Sequence, residues 1–449
     1  MKLSQAAQIL QGELKGMDAI FYGASTDTRL IQAGQLFFAW KGDKHDAHNF
    51  LDSIEAKGAI GAVVERYTPS VNISQIVVKD SQKALGILAK AWMADWQGTT
   101  VALTGSNGKT TLKEMIASIL RGKGATLATE GNYNNHVGCP LTILKLTDQY
   151  EYAVLEMGAN HFEEIRYLTH IAYPDVAILN NAGPCHLEGF GSIEGVARAK
   201  GEIFEGLKAG GTAIINADDD YADYWQSLNT EHRVLTFGIR NTADVMAKNI
   251  SGQSFDLVIH GQSIRVTLAL VGIHNVLNAC AAAAATYALG ASLDEIKTGL
   301  ENLHCVKGRL EKIQLSDHHI LLNDAYNGNP ASLRAGIDAL EGIADHTWLV
   351  LGDMRELGTQ AVQMHEECGR YAKVRGFDQL LALGEMAAKS AEAFGEGGQV
   401  YADHDAIIDH INQTLVTLKD ESVAILVKGS NSMKMYLIAE AMVQKEKEV

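Results

Sequence analysis

The chain has 449 residues, 47% of them hydrophobic, and a formal net charge of −16. At roughly 150 residues per domain this length predicts about three domains, each able to bury a sizeable core. The acidic balance argues against nucleic acid as a main partner, because a phosphate backbone needs a basic footprint, yet it leaves room for a local phosphate site.

Five scattered cysteines, Cys139, Cys185, Cys280, Cys305 and Cys368, form no CxxC pair and read as reduced thiols. The opening stretch MKLSQAAQILQGELKG lacks the apolar core of a signal peptide, and no run approaches the ~20 apolar residues of a membrane span. A cytoplasmic location without a membrane span is expected.

Along residues 1–97 short strand-like runs (LFFAW, AIGAVV, SQIVV) alternate with helical stretches, and a helix over 81–96 leads out. VALTG (101–105) then runs into a glycine-rich turn and the helical pattern KEMIASILRG. YAVLEM, DVAILNN and TAIINAD follow as apolar strands separated by helices, the mark of a parallel sheet covered on both faces. Alternation over 255–271 predicts antiparallel strands, followed by a helix over 274–289. From about Leu310 the runs HILLNDAY, WLVLGD, QLLALG and VAILVKGS alternate with helices and predict a second parallel sheet. The expected division is 1–97, 98–309 and 310–449.

TGSNGKTT (104–111) is the sharpest motif. Gly105 and Gly108 permit a tight turn whose N–H groups face a phosphate. Lys109 can reach the β/γ-phosphates, Thr110 can place a hydroxyl on Mg²⁺, and the helix N-terminus adds its positive end. Leu103 stands where the strict Walker spacing has glycine, so this is a shorter loop, and it implies a nucleotide but no particular reaction.

Glu156 ends a strand, where one carboxylate can complete a Mg²⁺ shell; a capping or salt-bridging role is equally open. His186 lies in a loop containing Gly183, Pro184 and Gly189, and reads as a metal ligand or a hydrogen-bonded loop histidine. In SIEGVARAKGEIFEGLK (192–208) Lys200 falls on the apolar face of a helix. Either its ammonium snorkels to water, or burial lowers its pKa and lets the neutral amine take up carbon dioxide as a carbamate.

Over essentially its full length the chain resembles the Mur ligases of peptidoglycan synthesis. The resemblance rests on TDTR, FFAWKGDKHDAHNF, TGSNGKTT, EGNYNNHVGCPLT, LEMGANHFEEI, HLEGFGSIEGVARAKGEIF, GIHNVLNACAAAA, GRLE, NDAYNGNPASL, GDMRELG and LVKGS, in the family's order. It implies an α/β fold of three domains, with a central P-loop parallel-sheet ATPase domain and a C-terminal Rossmann-like domain.

The resemblance also implies ATP and two Mg²⁺ ions. Thr104, Gly105, Ser106, Asn107, Gly108, Lys109, Thr110 and Thr111 would hold the phosphates, with Thr110 and Glu156 on the first metal. His186 and a carbamate on Lys200 would hold the second. His274, Asn275, Arg309, Asp324, Tyr326 and Asn327 would surround the rest of the nucleotide. Thr26, Asp27, Arg29, Lys41, Asp46 and His48 would bind a UDP-sugar. Asn134, Asn135, Asn160 and His161 would line the path of its peptide, while Asp353, Lys428 and Ser430 would meet an incoming dipeptide.

The implied activity joins D-alanyl-D-alanine to UDP-N-acetylmuramoyl-tripeptide through an acyl phosphate, releasing ADP and phosphate, in a monomer. A Mur-type ligase for another amino acid is the alternative, and a P-loop kinase or nucleotide switch stands further off. Two departures from the family pattern are the segment Gly183, Pro184, Cys185 and Gly328 in YNGNP. The DNPR signature of the diaminopimelate- or lysine-adding relative is absent.

Overall fold

A computed structural model describes every residue except 43–44, 304–307, 310 and 447–449, with side chains through residue 443. Cys305, Leu310 and two positions of the FFAWKGDKHDAHNF motif therefore lie outside the described residues.

Among the described residues the strands form three sheets. The first runs, edge to edge, through Glu13–Lys15, Gln75–Val77, Gly61–Val64, Leu36–Phe38 and Ala24–Ser25; its first pair is antiparallel and the rest are parallel. LFFAW, AIGAVV and SQIVV supply three of these strands.

The second sheet has nine strands in the order Gln262–Thr267, Ser254–Ile259, Val245–Ser251, Arg233–Gly238, Thr212–Asn216, Val176–Leu179, Thr99–Thr104, Tyr152–Glu156 and Thr126–Ala128. The expected apolar runs form its parallel centre. Their residues alternate between two cores: Ala102, Leu155, Ala177 and Ile215 face one, while Leu103, Val154, Ile178 and Ile214 face the other. The expected alternation over 255–271 appears as an antiparallel hairpin, turned at His260 (φ 46°) and Gly261 (φ 83°).

The phosphate-loop helix Lys109–Arg121 packs its Leu112, Ile116 and Leu120 against the alanine-rich helix Ile273–Ala288 and against Leu293–Glu301. On the other face, the connecting helix Ser81–Asp95 shares one continuous core with the first sheet and with Leu168 and Ile171.

The third sheet orders Glu311–Gln314, His319–Asp324, Val423–Lys428, His346–Gly352, Gln379–Leu383 and Gly398–Tyr401; only the first strand is antiparallel. Among the described residues no helix is long and apolar enough to cross a membrane.

The stretch 192–208 differs from the single helix its periodicity predicts. An α-helix capped by Ser192 covers Ile193–Gly201, and a 3₁₀ turn covers Glu202–Gly206. Tertiary contacts impose the change. The hydroxyl of Thr169 donates to the Ile203 carbonyl at 2.7 Å, and Gly206 packs so closely that a Cβ there would stand 2.4 Å from the Thr169 carbonyl oxygen. Glu202 is buried, and its carboxylate accepts from the backbone N–H of Glu163 (3.0 Å) and Arg166 (3.1 Å), capping helix Glu164–Ala172. Glu202→Ala is expected to lower the unfolding free energy by about 1–2 kcal/mol in a urea titration, with Glu202→Gln losing less.

Candidate active site

Strand Thr99–Thr104 lies between Tyr152–Glu156 and Val176–Leu179, and the chain leaves it first to one side and then to the other. The carboxyl ends of these three strands therefore open on one crevice at the point where strand order reverses, the usual ligand position in an open α/β sheet. The phosphate loop stands there, flanked by Glu156 on one side and by Asn180 and Asn181 on the other.

Gly108 precedes the helix with φ 76°, and a Cβ on it would stand 2.7 Å from Asn278 Oδ1. The Lys109 ammonium donates to the carbonyls of Gly105 (2.8 Å) and Ser106 (3.3 Å). The hydroxyl of Thr104 donates to the Met157 carbonyl, tying the loop's root to the neighbouring strand.

Four asparagines outside the candidates of the sequence analysis hold the loop. The Asn107 carbonyl accepts from the side-chain amides of Asn180 and Asn181, both at 3.1 Å, and the Asn107 N–H donates to Asn181 Oδ1 at 2.8 Å. Asn180 Nδ2 also donates to Asn278 Oδ1 at 2.9 Å. From the third sheet's side, Asn329 Nδ2 donates to Asn107 Oδ1 at 2.6 Å. The available signals were the NN pair closing DVAILNN and the helical spacing of Asn275 and Asn278.

Glu156 is buried at 2% exposure; Oε1 accepts from Asn134 Nδ2 at 2.8 Å, and buried Oε2 has no partner. Thr110 Oγ1 accepts from Arg309 Nη2 at 3.1 Å. Lys200 is 1% exposed, makes no hydrogen bond or ion pair among the described residues, and is pushed by burial down to about 8. His186 has φ 48° and its Nδ1 lies 2.5 Å from Glu356 Oε2. Burial holds this imidazole below its ordinary pKa; Glu356 opposes the shift, and Lys109 and Lys200 add to it.

Among the described residues no three His, Cys, Asp or Glu side chains converge on one point. Mg²⁺ commonly takes only one or two protein carboxylates beside phosphate oxygens and water. The orphaned oxygen of Glu156, opposite Leu103 at the root of the phosphate loop, fits that donor set.

Two cavities meet at the loop, sharing Ser106, Lys109, Arg309, Asn327 and Asn329. The first, about 290 Å³, is also lined by Gly108, Thr111, His274, Asn275, Asn278, Asp324 and Lys428. Asp324 and Lys428 are register partners on adjacent strands and form a buried ion pair, so Lys428 belongs to this wall and not to the second cavity. Burial lowers the His274 pKa. Arg309 stacks on the Tyr326 ring, 4.1 Å from its centroid.

The second cavity, about 580 Å³, is lined by Asn134, Asn135, Glu156, Asn160, His186, Tyr326, Arg355, Glu356 and Ser430, among others. Asn135 Oδ1 caps helix Gly138–Ile143 through the Val137 and Gly138 N–H groups. Ser430 Oγ accepts from the Arg355 N–H at 2.8 Å.

His161 and Asp353 line neither cavity. The His161 N–H donates to Glu164, and Asp353 Oδ1 caps helix Glu385–Phe394 through the N–H groups of Met386 and Ala387.

The six candidates on the first sheet also stand outside both cavities. Asp27 and Arg29 form a two-pronged ion pair beside half-buried Thr26. Asp46 accepts from His48 Nδ1 (2.7 Å) and Arg66 (2.7 Å), and its backbone bridges to Lys41. His48 Nε2 accepts from the Glu65 N–H at 3.0 Å, so both nitrogens of this buried ring are committed within the fold.

A phosphate loop at a switch point, an orphaned carboxylate oxygen beside it and the third sheet walling the nucleotide cavity define an α/β enzyme that uses a nucleoside triphosphate. The chain matches the Mur ligase middle domain over residues 103–286 and the Mur ligase, glutamate ligase domain over 308–431. It is 43% identical to the UDP-N-acetylmuramoyl-tripeptide–D-alanyl-D-alanine ligase of Haemophilus influenzae over 448 residues, 97% of each chain. With the Escherichia coli ligase of the same name it shares 43% identity over 446 residues, 98% of each.

MurF of Acinetobacter baumannii superposes with a TM-score of 0.90 at 36% identity, covering 98% of both chains. The MurF ligase of Thermotoga maritima in complex with ADP gives 0.83 at 28%, covering 95% of this chain and 98% of that one. The chain belongs to the Mur ligase family, ATP-dependent enzymes that use Mg²⁺ and form C–N bonds.

Gly108→Ala combines a left-handed backbone with an overlap against Asn278, so nucleotide binding is expected to weaken by about tenfold or more, each 1.4 kcal/mol being one decade. Titration with a fluorescent ATP analogue measures this.

Proposed function

We propose that the chain joins D-alanyl-D-alanine to UDP-N-acetylmuramoyl-tripeptide, consuming ATP, in cytoplasmic synthesis of the peptidoglycan precursor. The observation carrying this reading is the meeting of two cavities at Lys109 and Arg309, one suited to a nucleotide and one to a carboxylate and an amine. The relatives named above, matched over nearly their whole length, support the same substrates.

At neutral pH a carboxylate does not form an amide with an amine unaided. Lys109 and Arg309 stand where they can neutralise charge while the tripeptide's terminal carboxylate oxygen bonds to the γ-phosphorus and the bridging oxygen leaves with ADP. Asn134 and Asn160 orient the tripeptide end from the second cavity. The neutral amine of the dipeptide then attacks the acyl carbon. A C–N bond forms, the C–O bond to phosphate breaks, phosphate departs and the nitrogen loses one proton. No covalent enzyme intermediate is needed.

Thr110 and Glu156 would hold one Mg²⁺, and His186 with Lys200 as its carbamate a second; the ions supply charge neutralisation for the phosphates. The partnerless buried Lys200 supports its modification. Its neutral amine adds to carbon dioxide, forming an N–C bond and losing a proton, so that an anion replaces a cation.

The division 1–97, 98–309 and 310–449 accords with the three sheets, with UDP-sugar assigned to the first unit through Thr26, Asp27, Arg29, Lys41 and Asp46, and with His48 holding Asp46 in place from within the fold. Closure of the third unit brings the dipeptide to the acyl phosphate and excludes water, with Ser430 on the cavity wall and Asp353 supporting the segment around it. A monomer suffices for this site.

Phosphate release is expected only when UDP-N-acetylmuramoyl-tripeptide and D-alanyl-D-alanine are both present, with the matching mass gain in the product. ATP turnover without amide formation counts against the ligase in favour of a kinase or switch. Lys200→Ala is expected to lose activity and to regain part of it with added short carboxylates; full activity in this variant sinks the ligand role.

A further inference from the structure

His186 and Glu356 come from different sheets and meet across the second cavity. His186 follows the strand beside the phosphate loop, while Glu356 lies in the loop after His346–Gly352 of the third sheet. Both are non-glycine residues in the left-handed region, at φ 48° and φ 64°. Such backbone is disfavoured, and when it recurs it tends to aim a side chain at a site. Here two such residues aim at each other, with His186 Nδ1 2.5 Å from Glu356 Oε2.

The loops that carry them face each other beyond this pair. Leu187, Glu188 and Ile193 on one side and Leu357, Thr359 and Met364 on the other line a common cavity of about 750 Å³. A Cβ on Gly358 would stand 3.5 Å from Glu188 Cγ.

A neutral imidazole has one N–H donor and one acceptor nitrogen. With its proton on Nδ1, the nitrogen 2.5 Å from Glu356 Oε2, the ring keeps its lone pair on Nε2, and that nitrogen has no hydrogen-bond partner among the described residues. A carboxylate behind a metal-ligating histidine fixes its tautomer and ring orientation in this way. A plain surface ion pair is the alternative, since the Glu356 side chain is 58% exposed. An ordinary exposed pair, however, has no need of disfavoured backbone at both of its members.

We infer that Glu356 is a positioning residue for His186: the third sheet supplies the acceptor that fixes this histidine in the Nδ1–H tautomer with Nε2 as the metal-ligating atom. The inference rests on the proposed ligand role of His186 and adds that the second metal position is complete only with the third sheet docked. Metal affinity and domain closure are then one linked equilibrium.

The test is Mn²⁺ binding to the full-length protein with the ATP analogue AMPPNP, followed by the electron paramagnetic resonance of free Mn²⁺. The native chain is expected to bind two ions. Glu356→Ala is expected to weaken the second by about 10- to 100-fold and leave the first unchanged. Glu356→Gln, whose amide oxygen still accepts from Nδ1–H, stays near the native value.

If the alanine variant unfolds, Glu356→Gly removes the same carboxylate and adopts the left-handed backbone without strain. Native affinity for both ions in Glu356→Ala overturns the inference. A Gln variant as impaired as the Ala variant also overturns it, because the requirement is then for charge and not for an acceptor. His186→Ala, run in parallel, separates the two levels: retention of both ions there defeats the ligand reading itself. Its loss of the second ion, beside native binding in Glu356→Ala, defeats only the role of Glu356.

Discussion

The peptide group of Asn107 is the constraint on which the site depends. A loop that offers its N–H groups to phosphate must satisfy its carbonyls elsewhere. Here the Asn107 carbonyl takes two side-chain amides from the end of strand Val176–Leu179, and Asn181 returns an acceptor to the Asn107 N–H. Asn278, from the helix behind, fixes Asn180 and stands against Gly108. The protein's own side chains therefore hold the loop in shape, and donors held in this way do not have to reorganise during phosphoryl transfer.

The same residue carries the connection to the third sheet. Asn329, the N-cap of helix Pro330–Leu340, reaches Asn107 Oδ1, while Arg309 reaches the hydroxyl of Thr110 and stacks on Tyr326. The His186–Glu356 pair, on the wall of the second cavity, adds a further contact between the third sheet and the central one. Displacing the third sheet would break them together. The nucleotide cavity would lose Asp324, Lys428 and the stacking of Arg309 on Tyr326 in the same motion, so nucleotide contact and sheet placement are coupled by geometry.

The sequence resolved the parts of this molecule that depend on local pattern. Apolar runs buried on both faces, such as Val176–Leu179, announced the sheet, and the run of small residues announced the buried helix Ile273–Ala288. Edge strands of two or three residues, Ala24–Ser25 and Thr126–Ala128 among them, carry too few positions for a period to register. Long-range hydrogen bonding was also hidden. The roles of Asn180 and Asn278 depend on a contact across 98 residues, and Asp324 meets Lys428 across 104. Asp353 looked like a substrate residue because of its motif, but its acceptor bonds tie down a helix 33 residues further on. His48 likewise spends both nitrogens inside the first sheet's unit.

Lys200 was legible as an anomaly, and the fold removes the ordinary explanation for it. Snorkelling needs a route to water, whereas this side chain is 1% exposed. The α-helix ends at Gly201, and the 3₁₀ turn that follows is held by Thr169 and by the capping carboxylate of Glu202. Glu202, two residues away, is thus committed to backbone N–H groups and does not serve as the lysine's counter-ion. Burial pushes its pKa down to about 8, which brings the neutral amine, the form that can react at nitrogen, closer to neutral pH than in an exposed lysine. As an ammonium it adds to the charge of Lys109, and the proposed carbamate would reverse that sign. Burial without a partner is unfavourable for a structural lysine, and the proposed carbamate would relieve it.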